Sequence, residues 1–370
     1  MIYTVFEHEV ENFYPFTINH SIVEIRGGAF SLLERMQQQI SNEDKIILVV
    51  RDSIKDIVSE RYPHIDVNPE IIPPSYSCRA GVLDITNLNS HIKIEKDISL
   101  SDFKEGISDS SNNGYLWDYL KFNNLKKDKE RFSMNLRGNF HQSSIFVQKD
   151  NIHIAESAKI SAGVILDATN GPIIIDDNVF IDIGALIKGP TYIGKASVIN
   201  PGAKIRGNVS IGPYCKIGGE VEDTTFHGYS NKQHDGYVGH SYIGEWVNLG
   251  ANTNNSDLKN NYSDVKFQIG DNVIDTKQIF LGCMIGDYTK TGISTMINTG
   301  TYIGLGCNLF GGDFQPKQVP SFSWGAEKRM NLDKFLKTLK TVKERRDSIV
   351  TKAEEQLITK FYFFSKNLNF

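Results

Sequence analysis

The chain has 370 residues, 40% of them hydrophobic, and a formal net charge of -4. That length allows two domains and a tail, and the near-neutral charge excludes a broad nucleic-acid footprint. No apolar run approaches the roughly 20 residues of a membrane span, and the N-terminal MIYTVFEHEVENFYPF has neither the basic nor the apolar region of a signal peptide. Cys78, Cys215, Cys283 and Cys307 lack metal-ligand spacing and read as reduced, mostly buried thiols of a cytoplasmic protein.

Residues 1 to 140 alternate strand and helix signals. Ile2 to Phe6 reads as a strand, and Gly28 to Met36 opens an amphipathic helix with Phe30, Leu33 and Ile40 along one side. Lys45 to Arg51 is the continuous aliphatic run of a buried parallel strand. A helix from Ser53 to Arg61 and a strand from Val82 to Ile85 follow. Such alternation predicts a small open α/β sheet. Ser110 to Gly114 reads as a loop, and Leu116 to Lys129 as a helix leading out.

From Ile145 to Val319 the chain beats in sixes. Ile152-His153-Ile154-Ala155-Glu156-Ser157 is followed by Ala158-Lys159-Ile160-Ser161-Ala162-Gly163, and later by Tyr192-Ile193-Gly194-Lys195-Ala196-Ser197. An aliphatic residue recurs every sixth position, with Gly, Asn or Asp near it. This is the hexapeptide form of a parallel β-helix, three units to a coil. Gly, Asn and Asp suit the corners because they tolerate positive φ. An antiparallel sandwich would alternate with period two instead.

Two stretches read as breaks in the beat, Gly219 to His240 and Asn252 to Tyr262. Both are rich in His, Asn, Lys and Asp, the composition of a grafted site. After Ser321-Phe322-Ser323-Trp324-Gly325, residues Leu332 to Lys360 read as one charged helix packing on the β-helix or on a neighbouring subunit. Its apolar stripe includes Leu336, Leu339, Val342 and Ile349. Pro320 to Gly325 reads as a clasp over the open end of the β-helix, with substrate stacking on Trp324 as the alternative.

Several blocks carry a family likeness. They are Tyr14-Pro15-Phe16-Thr17 with Glu24-Ile25-Arg26-Gly27-Gly28, Leu116-Trp117-Asp118-Tyr119-Leu120, Gly228-Tyr229-Ser230-Asn231-Lys232, Leu258-Lys259-Asn260-Asn261-Tyr262, and Pro316 to Gly325. On these the chain resembles a branch of sugar nucleotidyltransferases with a shortened N-terminal domain. That branch is similar to the bifunctional sugar-1-phosphate uridylyltransferase/acetyltransferase family. The resemblance implies an α/β nucleotidyltransferase-like domain over 1-140, a left-handed β-helix over 141-320, and a clasp and C-terminal helix over 321-370. It also implies a cytoplasmic homotrimer acting in nucleotide-sugar metabolism.

Two activities follow from the resemblance. Nucleotidyl transfer joins a nucleoside triphosphate to a sugar-1-phosphate with Mg²⁺. The family's Gly-rich loop is replaced here by Phe6 to His20. Arg26 would face a phosphate at a helix N-terminus, while Arg79 and Asp84 flank the third strand, with Asp84 as the metal candidate. Acyl transfer from acetyl-CoA to an amino sugar needs a neutral imidazole to take the amine's proton. His240-Ser241-Tyr242-Ile243-Gly244 is similar to the family's His-x-x-Tyr-x-Gly segment, with one residue fewer between His and Tyr. His240 is then the base, His234 the second candidate, and Tyr242 and Asn248 would orient the sugar. Glu222 matches a family Glu, whereas Asn200 and Thr224 stand where the family has Arg and Lys. Lys232 and Lys259 are the candidates to replace those cations. The rival reading is a non-catalytic or regulatory trimer that binds a nucleotide sugar.

Overall fold

The computed structural model describes residues 1-82, 85-88, 91-106, 114-121 and 124-367. Near the N-terminus, Ile2–Phe6 lies between Lys45–Val49 and Ser75–Arg79, all parallel. Asp66–Val67 extends one edge in parallel, and Ile92–Ile94 closes the other antiparallel. The expected α/β sheet is therefore present. Its helices are shorter than the sequence suggested. Ser31 caps Leu32–Gln37, so Gly28 to Phe30 lead in rather than belong to it. Leu116 to Lys129 is not one helix but short turns, Asp118–Lys121, Leu125–Asp128 and Lys129–Arg131. The expected strand and loop at 82-85 and 110-114 fall largely outside the described residues.

Beyond Asn139 the chain winds into the left-handed parallel β-helix. One face holds nine parallel strands, from Ile152–Ile154 to Gln318–Val319, and each of the other two has a six-stranded sheet. Ile173 lies against Thr191, and Thr191 against Val209, so each coil advances by three hexapeptides. The interior is a stack of buried aliphatics such as Ile154, Ile175, Ile193 and Ile211.

The stretch from Gly219 to His240 does not break this stack. Glu220–Glu222, Thr225–Gly228, Asn231–Lys232 and Tyr237–Gly239 each pair with the coil before. Many of its polar residues occupy outward positions, Val221, Phe226 and Val238 fill the inside, and Lys232 turns inward with them. The second break is a true excursion. A bridge between Leu258 and Phe280 closes its neck, and Lys266–Ile269 forms an antiparallel hairpin with Asn272–Asp275.

Corners adopt positive φ at Asn178 and Asp223, as expected, but also at Tyr214, Tyr229, Trp246 and Tyr288. The left-handed region costs a non-glycine residue roughly 1–2 kcal/mol. Stacking offsets that cost: Tyr214 lies 4.9 Å from Tyr229, and Tyr229 lies 4.4 Å from Trp246. The C-terminal segment seats on this ladder. It forms two helices, Leu332–Glu344 and Lys352–Phe364, because Asp347 turns left-handed between them. Phe335 and Leu339 pack with Trp246, Tyr288 and Phe322. Ile349, placed in the stripe by the sequence, is exposed in the turn. In the clasp, Phe322 is the sealed ring, whereas Trp324 rests edge-on against Phe310 at the surface. The four cysteines are free and buried, and among the described residues no helix is long and apolar enough to cross a membrane.

The N-terminal sheet does not stand apart from the β-helix. One apolar cluster joins Tyr3, Val5 and Trp117 to Tyr242, Phe267, Tyr302 and Leu357. Trp117 is fully buried, with its ring centroid 5.0 Å from that of Phe267 in the hairpin. Trp117→Ala is expected to destabilise the protein by about 3–5 kcal/mol, the usual cost of emptying so large a buried site. Denaturant unfolding with an unchanged midpoint would show that this junction carries little of the stability.

Candidate active site

Tyr237–Gly239 ends in a corner, and the corner residue is His240, at φ 48°. Its N–H donates to the Glu222 carbonyl at 3.1 Å, and its carbonyl accepts from Gly282 N–H at 2.8 Å. With the backbone so held, the imidazole projects from the coil. Nδ1 lies 2.8 Å from Asp257 Oδ2. Nε2 lies 3.7 Å from Asp223 Oδ2, beyond hydrogen-bond range. Phe280 stacks on the ring at 5.1 Å. The His240 side chain keeps 24% of its surface open to solvent.

Asp257 is itself positioned. Tyr237 Oη donates to its Oδ2 at 2.7 Å and lies 3.5 Å from Glu222 Oε2. Gly239 permits this meeting: a Cβ there would lie 2.1 Å from Tyr237 Oη and 2.5 Å from Asp257 Oδ2. Burial pushes the Asp257 carboxyl up, but the hydrogen bonds from His240 and Tyr237 outweigh it and hold the group below its ordinary value. Arg206 Nη1 completes the face, 2.9 Å from Glu220 Oε1 and 3.2 Å from Glu222 Oε2. With Nδ1–H donated to Asp257, Nε2 carries the lone pair, on a side chain that stays partly open to solvent. That is the arrangement of an oriented general base.

Of the residues singled out from sequence, Glu222 and His240 come together here. Lys259 stands on the excursion that carries Asp257, its Nζ on Ser263 Oγ and the Asp264 carbonyl. Tyr242 does not join them. It is buried beneath the N-terminal segment, accepting from Arg26 N–H at 3.0 Å, with Phe16 5.4 Å away. Asn248 lies on another face, beside Asn231 and Lys290. His234 is exposed at a corner, and its carbonyl accepts from Lys232. Lys232 is turned inward, level with Ile217, and is 1% exposed. It cannot grip a substrate phosphate, because its Nζ donates to the Gly218 and His234 carbonyls inside the coil.

Arg26 is also displaced from its expected role. The helix begins only after Ser31, and the buried guanidinium donates to the Ala29 carbonyl at 2.5 Å. Arg79 ends its strand beside Phe6, and Asp84 lies outside the described residues. A chamber of about 480 Å³ opens at the carboxyl ends of the first two strands, where open α/β sheets bind ligands. Glu7, Glu9, Glu11 and Asp52 line it together with His8, Arg51 and Lys104, and the two cations are already engaged, Arg51 with Glu7 at 2.9 Å and Lys104 with Asp52 at 2.7 Å. This acidic wall does not fit a triphosphate with Mg²⁺, which needs cations and a cradle of backbone N–H groups.

The residues that sequence reasoning missed are Asp257, Tyr237, Asp223 and Phe280. One signal was available. Tyr237 stacks on Glu220, and the same advance from His240 lands on Asp257.

A family model described as bacterial transferase hexapeptide (six repeats) matches residues 190–222. The repeat is that of the bacterial hexapeptide transferases. The chain is 31% identical over 267 residues to the bifunctional sugar-1-phosphate nucleotidylyltransferase/acetyltransferase of Sulfurisphaera tokodaii, covering 66% of this chain and 60% of that one. It is 32% identical over 185 residues to the bifunctional protein GlmU of Thermodesulfovibrio yellowstonii, covering 49% and 35%. The family resemblance read from the sequence holds in both. The chain therefore spans 60% or less of the length of these relatives. Among solved structures, the UDP-N-acetylglucosamine acyltransferase of Francisella novicida shares 16% identity, covers 60% of this chain and 78% of its own, and has a TM-score of 0.35.

Burial lowers the Lys232 ammonium from its ordinary 10.5 to about 8, against the opposing pull of Asp235 and Glu220. Between those values the unfolded chain binds more protons than the folded one, so stability rises with pH across the window. Below about 8 the cost of the buried charge is present in full. The rise is on the order of 3 kcal/mol in the wild type and is expected to vanish in Lys232→Met. Equal pH slopes for the two proteins in denaturant titrations would show that Lys232 does not titrate inside the coil.

Proposed function

We propose that the chain is an acyltransferase that moves an acyl group from a coenzyme A thioester to the amino group of a sugar or sugar phosphate. The observation that carries this reading is the pairing of His240 Nδ1 with Asp257 at 2.8 Å on a side chain that stays 24% exposed. Nε2 takes the proton of the amine as its nitrogen attacks the thioester carbonyl. The tetrahedral intermediate then collapses, the C–S bond breaks, and the thiolate leaves with the proton returned by the imidazolium. Asp257 holds the ring and stabilises its charged form. Glu222 and Asp223 give the entrance a negative field that draws in an ammonium. In this reading Lys259, on the adjoining excursion, exchanges its bonds to Ser263 and the Asp264 carbonyl for a phosphate on the same acceptor. The name of the Sulfurisphaera tokodaii relative, which pairs nucleotidyl with acetyl transfer, supports the class. The acid-lined chamber favours the β-helix over the N-terminal sheet as the seat of the chemistry.

His240→Ala is expected to lower coenzyme A release with an amino-sugar phosphate acceptor by roughly a hundredfold or more. Its melting temperature should stay within a few degrees of the wild type. A loss of activity no larger than the loss of folded protein would overturn the reading.

The assembly is part of the same proposal. Outward positions on the early coils are apolar: Ile145, Phe180, Ile183 and Leu186 are 53%, 37%, 56% and 44% exposed. Ile145, Ile165 and Leu186 lie in one register column. Such a face suits a closed interface between three copies about an axis along the helix. Light scattering at micromolar concentration should give three times 41.6 kDa, and Leu186→Asp should lower it. A wild-type monomer would exclude the trimer.

A further inference from the structure

A second imidazole–carboxylate cluster lies where the N-terminal segment meets the β-helix, apart from His240. His20 stands just beyond the short helical turn Phe16–Ile18, and its ring stacks on Phe16 at 4.3 Å. Its Nε2 is 2.8 Å from Asp287 Oδ2. Asp287 also accepts from Asn19 Nδ2 and from Glu245 N–H, each at 2.8 Å. Gly244 makes room for that carboxylate, since a Cβ there would lie 2.3 Å from Asp287 Oδ1. His20 and Asp287 are 1% and 0% exposed, while the Glu245 side chain keeps 23% at the rim.

We infer that His20, Asp287 and Glu245 form a buried site for one divalent transition-metal ion of the zinc class. Their donor atoms lie within 4.8 Å of one another. Metal–ligand distances of about 2.0–2.2 Å then require that the rim side chain, Glu245, turn inward and that the His20–Asp287 pair open by about half an ångström from its 2.8 Å hydrogen bond. One imidazole and two carboxylates form a borderline donor set that suits zinc or its neighbours over calcium or magnesium. His227 Nε2, 3.7 Å from Glu245 Oε1, offers a fourth donor on the same side.

Three further observations point the same way. The far nitrogen of His20 lies 3.5 Å from Glu24 Oε1, the outer carboxylate that orients a metal-bound histidine. Without metal, Nδ1 accepts from Arg61 Nη1 at 3.0 Å, and Nε2–H donates to Asp287. Metal on Nε2 moves the proton to Nδ1, where Glu24 receives it, while Arg61 keeps both Glu24 oxygens at 2.9 and 3.0 Å. Second, three carboxylates, those of Glu24, Asp287 and Glu245, converge on the His20 imidazole. Third, Asn19 Oδ1 is buried without a donor, on the amide whose nitrogen already binds Asp287.

The test uses the full chain, stripped with chelator and titrated with zinc by calorimetry and with cobalt(II) by visible absorbance. One equivalent should bind, and the melting temperature should rise with zinc. Asp287→Asn should abolish the cobalt spectrum. Should that variant fail to fold, Glu245→Gln and Glu24→Gln decide. Glu245→Gln removes a ligand at the rim and should weaken binding at least tenfold. Glu24→Gln should keep one equivalent with affinity lowered about 10–100-fold. Absence of stoichiometric binding, or unchanged affinity in both glutamine variants, overturns the site. None of these readouts depends on acyl transfer.

Discussion

Every coil of this β-helix is closed by the coils next to it. Ile175 is covered by Ile154 on one side and Ile193 on the other, and neither hydrogen bonds nor apolar contacts of a single coil would stand alone. The rest of the molecule depends on that vertical match. Corners are forced into left-handed backbone because the chain must turn three times per coil without losing register. The aromatic corners from Tyr214 to Trp246 show how far the stack can tolerate that demand when side chains support one another.

The same register arranges the chemistry. A residue on one coil meets the residue one coil further on, so His240 receives its carboxylate from Asp257 and its neighbouring charge from Asp223. On the opposite flank, Asp287 and Glu245 rise from successive coils to meet His20. There the N-terminal sheet is tied to the β-helix by a buried polar knot as well as by apolar contact.

Much of the architecture was legible because the inward residue of each hexapeptide is decided by burial alone. The outward residues obey no such rule, and that is where reading failed. Gly219 to His240 looks like an interruption because its polar residues are the visible ones, while Val221, Phe226 and Val238 quietly keep the beat. Lys232 is the reverse case: a cation at an inward position, which no periodicity could distinguish from a substrate ligand. Tyr242 matched a family pattern, yet the N-terminal segment covers it, a contact between residues 216 apart. His240 was found by its motif. Asp257 was missed because its relation to His240 is one of coil height, and the coil advance here, Glu220 to Tyr237, departs from the three hexapeptides of the regular coils.

The excursion between Asn255 and Leu281 leaves the stack and returns to it with pairing intact, since Tyr242 still lies on Met284. Both Asp257, at its start, and Phe280, at its end, clasp His240. Everything between them is free of the vertical match that constrains the coils. A lineage could lengthen, shorten or recompose this loop and so retune what approaches the imidazole. So long as Val265 and Phe267 keep their buried places against the N-terminal sheet, the exposed parts of the excursion form a natural cassette for altering selectivity without renegotiating the fold.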